Sequence, residues 1–174
     1  IAWESIAPEY DPFKYNSFPK IAGHQLYQLT RLTQKKIDEL QNNGKLERLP
    51  PIQTFSSVVD STVSTPSLVT YLYDRLKPNG HELILFDVNR FSALAPFVKD
   101  RHDTFLNRLK EPSNLPYTWT LVTNQTADTL RVVAETRDAG SAAITQEPLN
   151  LEWPRGIYSL SHVAVPFSPD DPLY

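Results

Sequence analysis

The stretch 52–88 does most to limit the folds open to this chain. Ile52-Gln53-Thr54-Phe55-Ser56-Ser57-Val58-Val59 is a β-rich run that ends at Asp60. Thr65-Pro66 then offers a cap and a first-turn proline, the signals that start a helix. Leu68, Val69, Leu72, Tyr73 and Leu76 make its apolar face, and Pro78-Asn79-Gly80 ends it. Glu82-Leu83-Ile84-Leu85-Phe86-Asp87-Val88 follows as a short apolar run between turn signals, the pattern of a buried parallel strand. Strand, helix and strand in so short a span form a βαβ unit. The two runs are therefore predicted to be adjacent parallel strands joined by a right-handed crossover, with the helix over one face.

The flanking segments add elements of both kinds. Residues 8–19 interleave aromatics with prolines and have no helical period, so an extended path anchored by Tyr10, Phe13 and Phe18 is expected. From Ala22 onward, Leu26, Leu29, Thr33, Ile37 and Leu40 fall on one helical stripe, and Asn43-Gly44 supplies the stop. Residues 97–110 read as a second helix, with Phe97, Arg101, Phe105 and Leu109 spaced four apart. Residues 117–123 and 130–136 alternate and are rich in Thr and β-branched residues, so a hairpin with its loop at 124–128 is expected. Further β runs are read at 149–153 and 157–161, before a proline-fixed loop at 165–172.

Composition removes whole classes of function. At 174 residues, with 40% hydrophobic and 21% charged residues, the chain has globular composition. A net charge of −3 implies no broad basic face for nucleic acid or an anionic membrane. Without cysteine there is no disulfide scaffold, thiol catalysis or Cys-ligated zinc, and the redox compartment stays open. No apolar run is long enough for a transmembrane helix. His24, His81, His102 and His162 match no metal spacing, and the five glycines are too dispersed to cradle a phosphate. No cofactor is therefore expected. The chain contains no Met and stops at Asp170-Asp171-Pro172-Leu173-Tyr174, and is expected to be a processed product or an excerpt of a longer protein. No targeting segment is read in it, so cytoplasm and periplasm both remain open.

Two residues are placed where chemistry is done. Asp60 lies just past a β run and before a helix, and parallel sheets keep functional groups at the carboxyl ends of their strands. Asp also starts Asx-turns, and Ser61-Thr62 fit one. His162 stands before a loop stiffened by Pro166, Pro169 and Pro172, which can hold an imidazole in the fixed orientation a general base needs. A His packed under that loop and bonded to a backbone carbonyl fits the same sequence.

The run Phe55-Ser56-Ser57-Val58-Val59-Asp60-Ser61-Thr62-Val63, its following helix, and Gly80-His81-Glu82-Leu83-Ile84-Leu85-Phe86-Asp87 resemble the late sheet of an α/β-hydrolase. More narrowly, they are similar to bacterial lysophospholipase/esterase-like hydrolases, in which a strand ends in S-x-x-D-x-x-V and its Asp is the triad acid. The resemblance implies an α/β fold: the C-terminal part of an α/β-hydrolase, a parallel sheet with flanking helices and an α+β insertion before the His loop. It divides the chain into a lid-side connection and long helix at 1–45, the strand–helix–strand at 46–90, the insertion at 91–156 and a His-bearing loop at 157–174. It makes Asp60 the acid and His162 the base of a Ser-His-Asp triad, with His102 as a fallback base. The G-x-S-x-G nucleophile elbow of the family is absent from these residues, so the Ser is expected before Ile1. The insertion must also return His162 to the sheet across 102 positions, from 60 to 162.

The implied activity is that of a serine hydrolase on carboxylic esters, with a small ester or lipid-like substrate and a complementary N-terminal segment or chain of the same protein as partners. The competing reading is a non-catalytic binding or interaction domain. In that reading Asp60 is a turn residue, His162 is structural, and the hairpin around Trp119, with Trp3 and Trp153 as further anchors, presents a ligand surface.

Overall fold

A computed structural model describes residues 20–60, 63–93, 101–111 and 113–159, with Arg101 and His102 by backbone alone. Trp3, the 8–19 stretch, the start of the 97–110 helix and the closing segment with His162 lie outside the described residues. The chain divides into two compact units, residues 1–49 and 50–174.

In the first unit, helix α1 (Lys20–Asn42) ends where Asn43-Gly44 is expected to stop it. Gly44 takes φ +63°, the Lys45 N–H donates to the Leu40 carbonyl (2.8 Å) and the Gly44 N–H to the Gln41 carbonyl (3.1 Å). These are the two bonds of a Schellman stop, and they need the left-handed backbone that glycine gives freely. The expected apolar stripe is only partly used. Ile37 is buried, whereas Leu26 and Leu29 stay 56% and 60% exposed.

In the second unit, the two β runs are adjacent parallel strands with a helix between them, as predicted. Strand β1 (Gln53–Ser57) pairs in parallel with β2 (Glu82–Phe86), from Gln53↔Glu82 to Ser57↔Phe86. Between them run helix α2 (Thr65–Tyr71) and a 3-10 turn, Tyr73–Arg75. The cap sits one residue earlier than expected: the Ser64 side chain accepts from the Ser67 N–H. Thr65 is unavailable because its buried hydroxyl donates instead to the Ser57 carbonyl (2.7 Å). Leu83 and Leu85 are fully buried, but Ile84 and Phe86 on the other face of β2 are half-buried, so the run is not buried on both sides as its apolar continuity suggested.

Helix α3 (Arg101–Lys110) leads to β3 (Thr118–Asn124), which pairs in parallel with β2. Strands β4 (Arg131–Arg137) and β5 (Thr145–Glu152) add antiparallel neighbours, and the sheet order is β1-β2-β3-β4-β5. The expected 117–136 hairpin thus forms as β3 and β4 and continues the sheet that β1 and β2 begin. The result is a mixed five-stranded sheet with helices, an α/β architecture. Strand β5 starts at Thr145, ahead of the expected 149, and includes Pro148. A proline is tolerated there because β5 has a single neighbour in this sheet. Residues 157–159 form no strand. Gly156 takes φ +77° and the Ile157 N–H closes a turn onto the Pro154 carbonyl (3.2 Å).

The core lies where α2, its 3-10 turn and α3 meet the sheet, around Val69, Tyr73, Leu83, Leu85, Trp119 and Leu121. Arg108 of α3 reaches Thr70 of α2 and Asp74 of the 3-10 turn, which ties the two crossovers together. Arg137 is buried at 1% exposure, with its guanidinium 5.4 Å from the Trp119 ring centroid. It donates to the Lys110 and Glu111 carbonyls (2.6 and 2.8 Å) at the end of α3, where a cation suits the helix dipole. Trp119 and Trp153 are 1% and 4% exposed, so neither offers the ligand surface of the binding-domain reading. Among the described residues, no helix is long and apolar enough to cross a membrane.

Candidate active site

Strands β1, β2 and β3 end on one side of the sheet, and the loops leaving them gather the polar groups. The first loop carries Asp60. Pairing continues one residue past β1, since the Val58 N–H donates to the Phe86 carbonyl (2.9 Å). The chain then turns, and the Ser57 carbonyl accepts both the Asp60 N–H (3.1 Å) and the Thr65 hydroxyl (2.7 Å). Ser56 Oγ lies 2.8 Å from Thr65 Oγ1, and Ser57 Oγ accepts from the Val59 N–H (3.3 Å). Three buried hydroxyls therefore fix the turn from beneath. Asp60 itself is half-exposed, and its Oδ1 accepts the Val63 N–H at 2.9 Å, an Asx-type bond of the kind the sequence allows.

The second loop carries a carboxylate of another kind. Asp87 follows β2 directly and is 3% exposed. Its Oδ1 accepts from the Val88 N–H (2.8 Å) and Arg90 Nη2 (3.0 Å). Its Oδ2 accepts from Arg90 Nε (3.0 Å) and the Thr123 hydroxyl (2.9 Å). These bonds use all the lone-pair positions that a carboxylate has. Arg90 also donates from Nη1 to Asp103 (2.8 Å). Burial works against the charge on Arg90, but the bonds and attraction of the two carboxylates outweigh it and its pKa rises. The Tyr158 hydroxyl is pushed up, mainly by burial and also by Asp87 and Asp103, with Arg90 opposing.

Two amides bind the loops together. Asn89 is 2% exposed. Its side chain donates to the Ile157 carbonyl (3.0 Å) and its backbone N–H to the Tyr158 carbonyl (2.7 Å). Asn89 Oδ1 accepts from the Phe91 N–H (3.2 Å) and from Asn124 Nδ2 (2.9 Å). Asn124 in turn accepts the Arg90 N–H (2.7 Å) and donates to the Thr129 carbonyl (2.7 Å). Beside this pair is a cavity of about 710 Å³ whose walls include Phe91, Leu130 and Ile157, with Asn89, Ser92 and Arg155 as polar members.

Of the residues singled out by sequence, Asp60 is at the expected strand end. His162 lies outside the described residues, three positions beyond Ser159. His102 stands in the first turn of α3, next in sequence to the Asp103 that pairs with Arg90. His81 is remote from all of these, at the start of β2. It is 1% exposed and its Nδ1 accepts the Ile52 N–H (3.0 Å), which places the proton on Nε2. Burial lowers its pKa below the ordinary 6.5, with the Lys77 backbone opposing. Sequence reasoning missed Asp87, Asn89 and Asn124. The polar string Asp87-Val88-Asn89-Arg90 at a strand end was the available signal.

Among the described residues, no group of His, Cys, Asp and Glu is arranged to hold a metal ion. Compared with family models, curated proteins and solved structures, the chain matches none.

Proposed function

We propose that this chain carries the acid and base of a serine hydrolase that cleaves carboxylic esters in the manner of a lysophospholipase, with the nucleophilic Ser on another segment. The observation that carries the reading is a shared location. Asp60 lies in a braced turn at the carboxyl end of β1, and the loop from β2 at the same end bonds to residues 157 and 158. His162 follows Tyr158 by four residues, which span at most about 14 Å when fully extended. Functional groups of parallel sheets belong at this end.

In this reading His162 takes the Ser proton as the hydroxyl attacks the ester carbonyl, then returns it to the leaving alcohol. Asp60 accepts from the other ring nitrogen, fixes the tautomer and stabilises the imidazolium. The braced turn matters because a general base must be held in register with the proton it moves. Asp87 is fully occupied by Arg90, Thr123 and Val88, which makes it a structural carboxylate. The cavity beside Asn89 has the size of ordinary small-molecule sites, and its Phe91, Leu130 and Ile157 walls suit an apolar acyl or alcohol group.

The test is hydrolysis of a p-nitrophenyl ester by the protein that joins this chain to its Ser-bearing segment. Asp60→Asn is expected to lower kcat on the order of 10⁴-fold while the melting temperature stays put. An unchanged kcat removes Asp60 from the mechanism.

A further inference from the structure

Among the described residues, the cavity beside Asn89 has one charged wall member, Arg155. Its backbone is held from both sides. Pro154, Arg155, Gly156 and Ile157 form a tight turn, closed by the Ile157 N–H on the Pro154 carbonyl (3.2 Å). Gly156 takes φ +77° at the third position, as a type II turn asks of glycine, and the exposed Arg155 stands at the corner before it. On the entry side, the Trp153 N–H donates to the Leu130 carbonyl (2.8 Å) and the Trp153 side chain is buried. On the exit side, Asn89 holds the Ile157 and Tyr158 carbonyls at 3.0 and 2.7 Å. The turn thus carries a cation on a fixed backbone beside the apolar Phe91, Leu130 and Ile157 walls.

Among the described residues, no carboxylate pairs with this cation. Asp87 and Asp103 are both taken up by Arg90. Asn89 and Ser92, the other polar wall members, carry no charge, and the Asn89 amide is occupied by Ile157, Phe91 and Asn124. An apolar chamber with a single cation sorts ligands by the charge at one end. A guanidinium meets a carboxylate or a phosphate with two parallel N–H···O bonds, which a neutral group cannot match. We infer that Arg155 is a specificity-determining residue: it selects an ester whose apolar body ends in a carboxylate or a phosphate. The inference rests on the hydrolase reading above and names the substrate class of the same cavity. Arg155 acts on binding and takes no part in proton transfer, so its loss should raise KM and leave kcat alone.

The experiment has two arms, and both use Arg155→Gln, which leaves the core untouched because Arg155 is exposed. In the first, hexanoate, hexyl phosphate and hexanol are titrated into the full 174-residue chain and followed by NMR at the Gly156 amide. Each anion should bind about tenfold more tightly than hexanol, and Arg155→Gln should bring all three to the hexanol value. Whichever anion gains more tells a carboxylate substrate from a phosphate one. Anions that bind no tighter than hexanol, or a preference that survives Arg155→Gln, overturn the inference. The second arm compares p-nitrophenyl hemiglutarate with the neutral p-nitrophenyl valerate in the protein that joins this chain to its Ser-bearing segment. Arg155→Gln should raise KM about tenfold for the hemiglutarate alone, with kcat unchanged for both. Both esters cleaved at equal KM, before and after the substitution, overturn the role of Arg155 and leave the hydrolase standing. Neither ester cleaved, with anion binding intact, overturns the hydrolase reading and leaves an anion site.

Discussion

The two ends of the parallel strands use polar residues in opposite ways. At the amino end, His81 accepts from the Ile52 N–H just before β1, and Tyr73 donates to the Glu82 carbonyl at 2.7 Å. Tyr117 packs edge-on against Tyr73, and its pKa is pushed well up by burial and the nearby Asp74. These groups close the core and fix where strands begin. At the carboxyl end, Asn89 and Asn124 bond to loops distant in the chain, and Asp87 ties its own loop to β3 through Thr123, so these groups fix where loops go. A sheet end that spends buried polar groups on loop placement is built to hold loops still. That is what a site assembled from separate strand ends requires.

The sharpest way to break this contrast is at the proposed acid. Asp60→Asn should cost on the order of 10⁴ in kcat, about 5.5 kcal/mol of transition-state stabilisation, with stability nearly unchanged. No substitution at the amino end should separate activity from stability in that way. Next is Asp87→Ala, which leaves Arg90 and the Thr123 hydroxyl without their buried acceptor. A loss of about 3 kcal/mol is expected in urea unfolding, with activity falling alongside it. Loss of stability without loss of activity would detach this network from the site.

At the amino end, the expected signature is pH dependence. The folded pKa of His81 lies below 6.5, so as pH falls through 6.5 the unfolded chain binds the proton first. Stability from neutral His81 is complete above that value and declines as pH falls toward the folded pKa, where the decline levels off. Unfolding followed at several pH values should show this slope, and His81→Gln should remove its share of it. The smallest effect is expected at the Asp74–Arg108 pair, whose side chains are 26% and 52% exposed. Arg108→Ala should change stability by about 0.5 kcal/mol or less.

The sequence announced the βαβ unit because its signals are local: apolar runs of strand length, a proline at a helix start, a glycine at a stop. It also placed Asp60 just past the end of a strand, where the structure has it. The hydrogen bonds between these loops were not legible. Asn89 and Ile157 are 68 positions apart and Arg90 and Asn124 are 34 apart, so their pairing exists only once β2 and β3 lie side by side. The cap of α2 shifted from Thr65 to Ser64 for a similar reason: Thr65 is called away by the Ser57 carbonyl, a contact made only in the folded turn. Strand β5 begins at Thr145, ahead of the expected 149, and takes in Pro148, which a strand at the end of the sheet order tolerates.

The account stands on Asp60 and His162 meeting, and the absence of cysteine from the chain makes that directly measurable. In an Asp60→Cys/His162→Cys variant, the thiols should join spontaneously or through the shortest bis-methanethiosulfonate, because linked cysteines have Cα atoms about 4.4–6.8 Å apart. The predicted result is rapid intramolecular linkage in the folded chain, and none for a control pair of His162→Cys with Asp74→Cys, which stands at the amino end of the strands. Linkage of the Asp60 pair no faster than of the control pair would contradict the account.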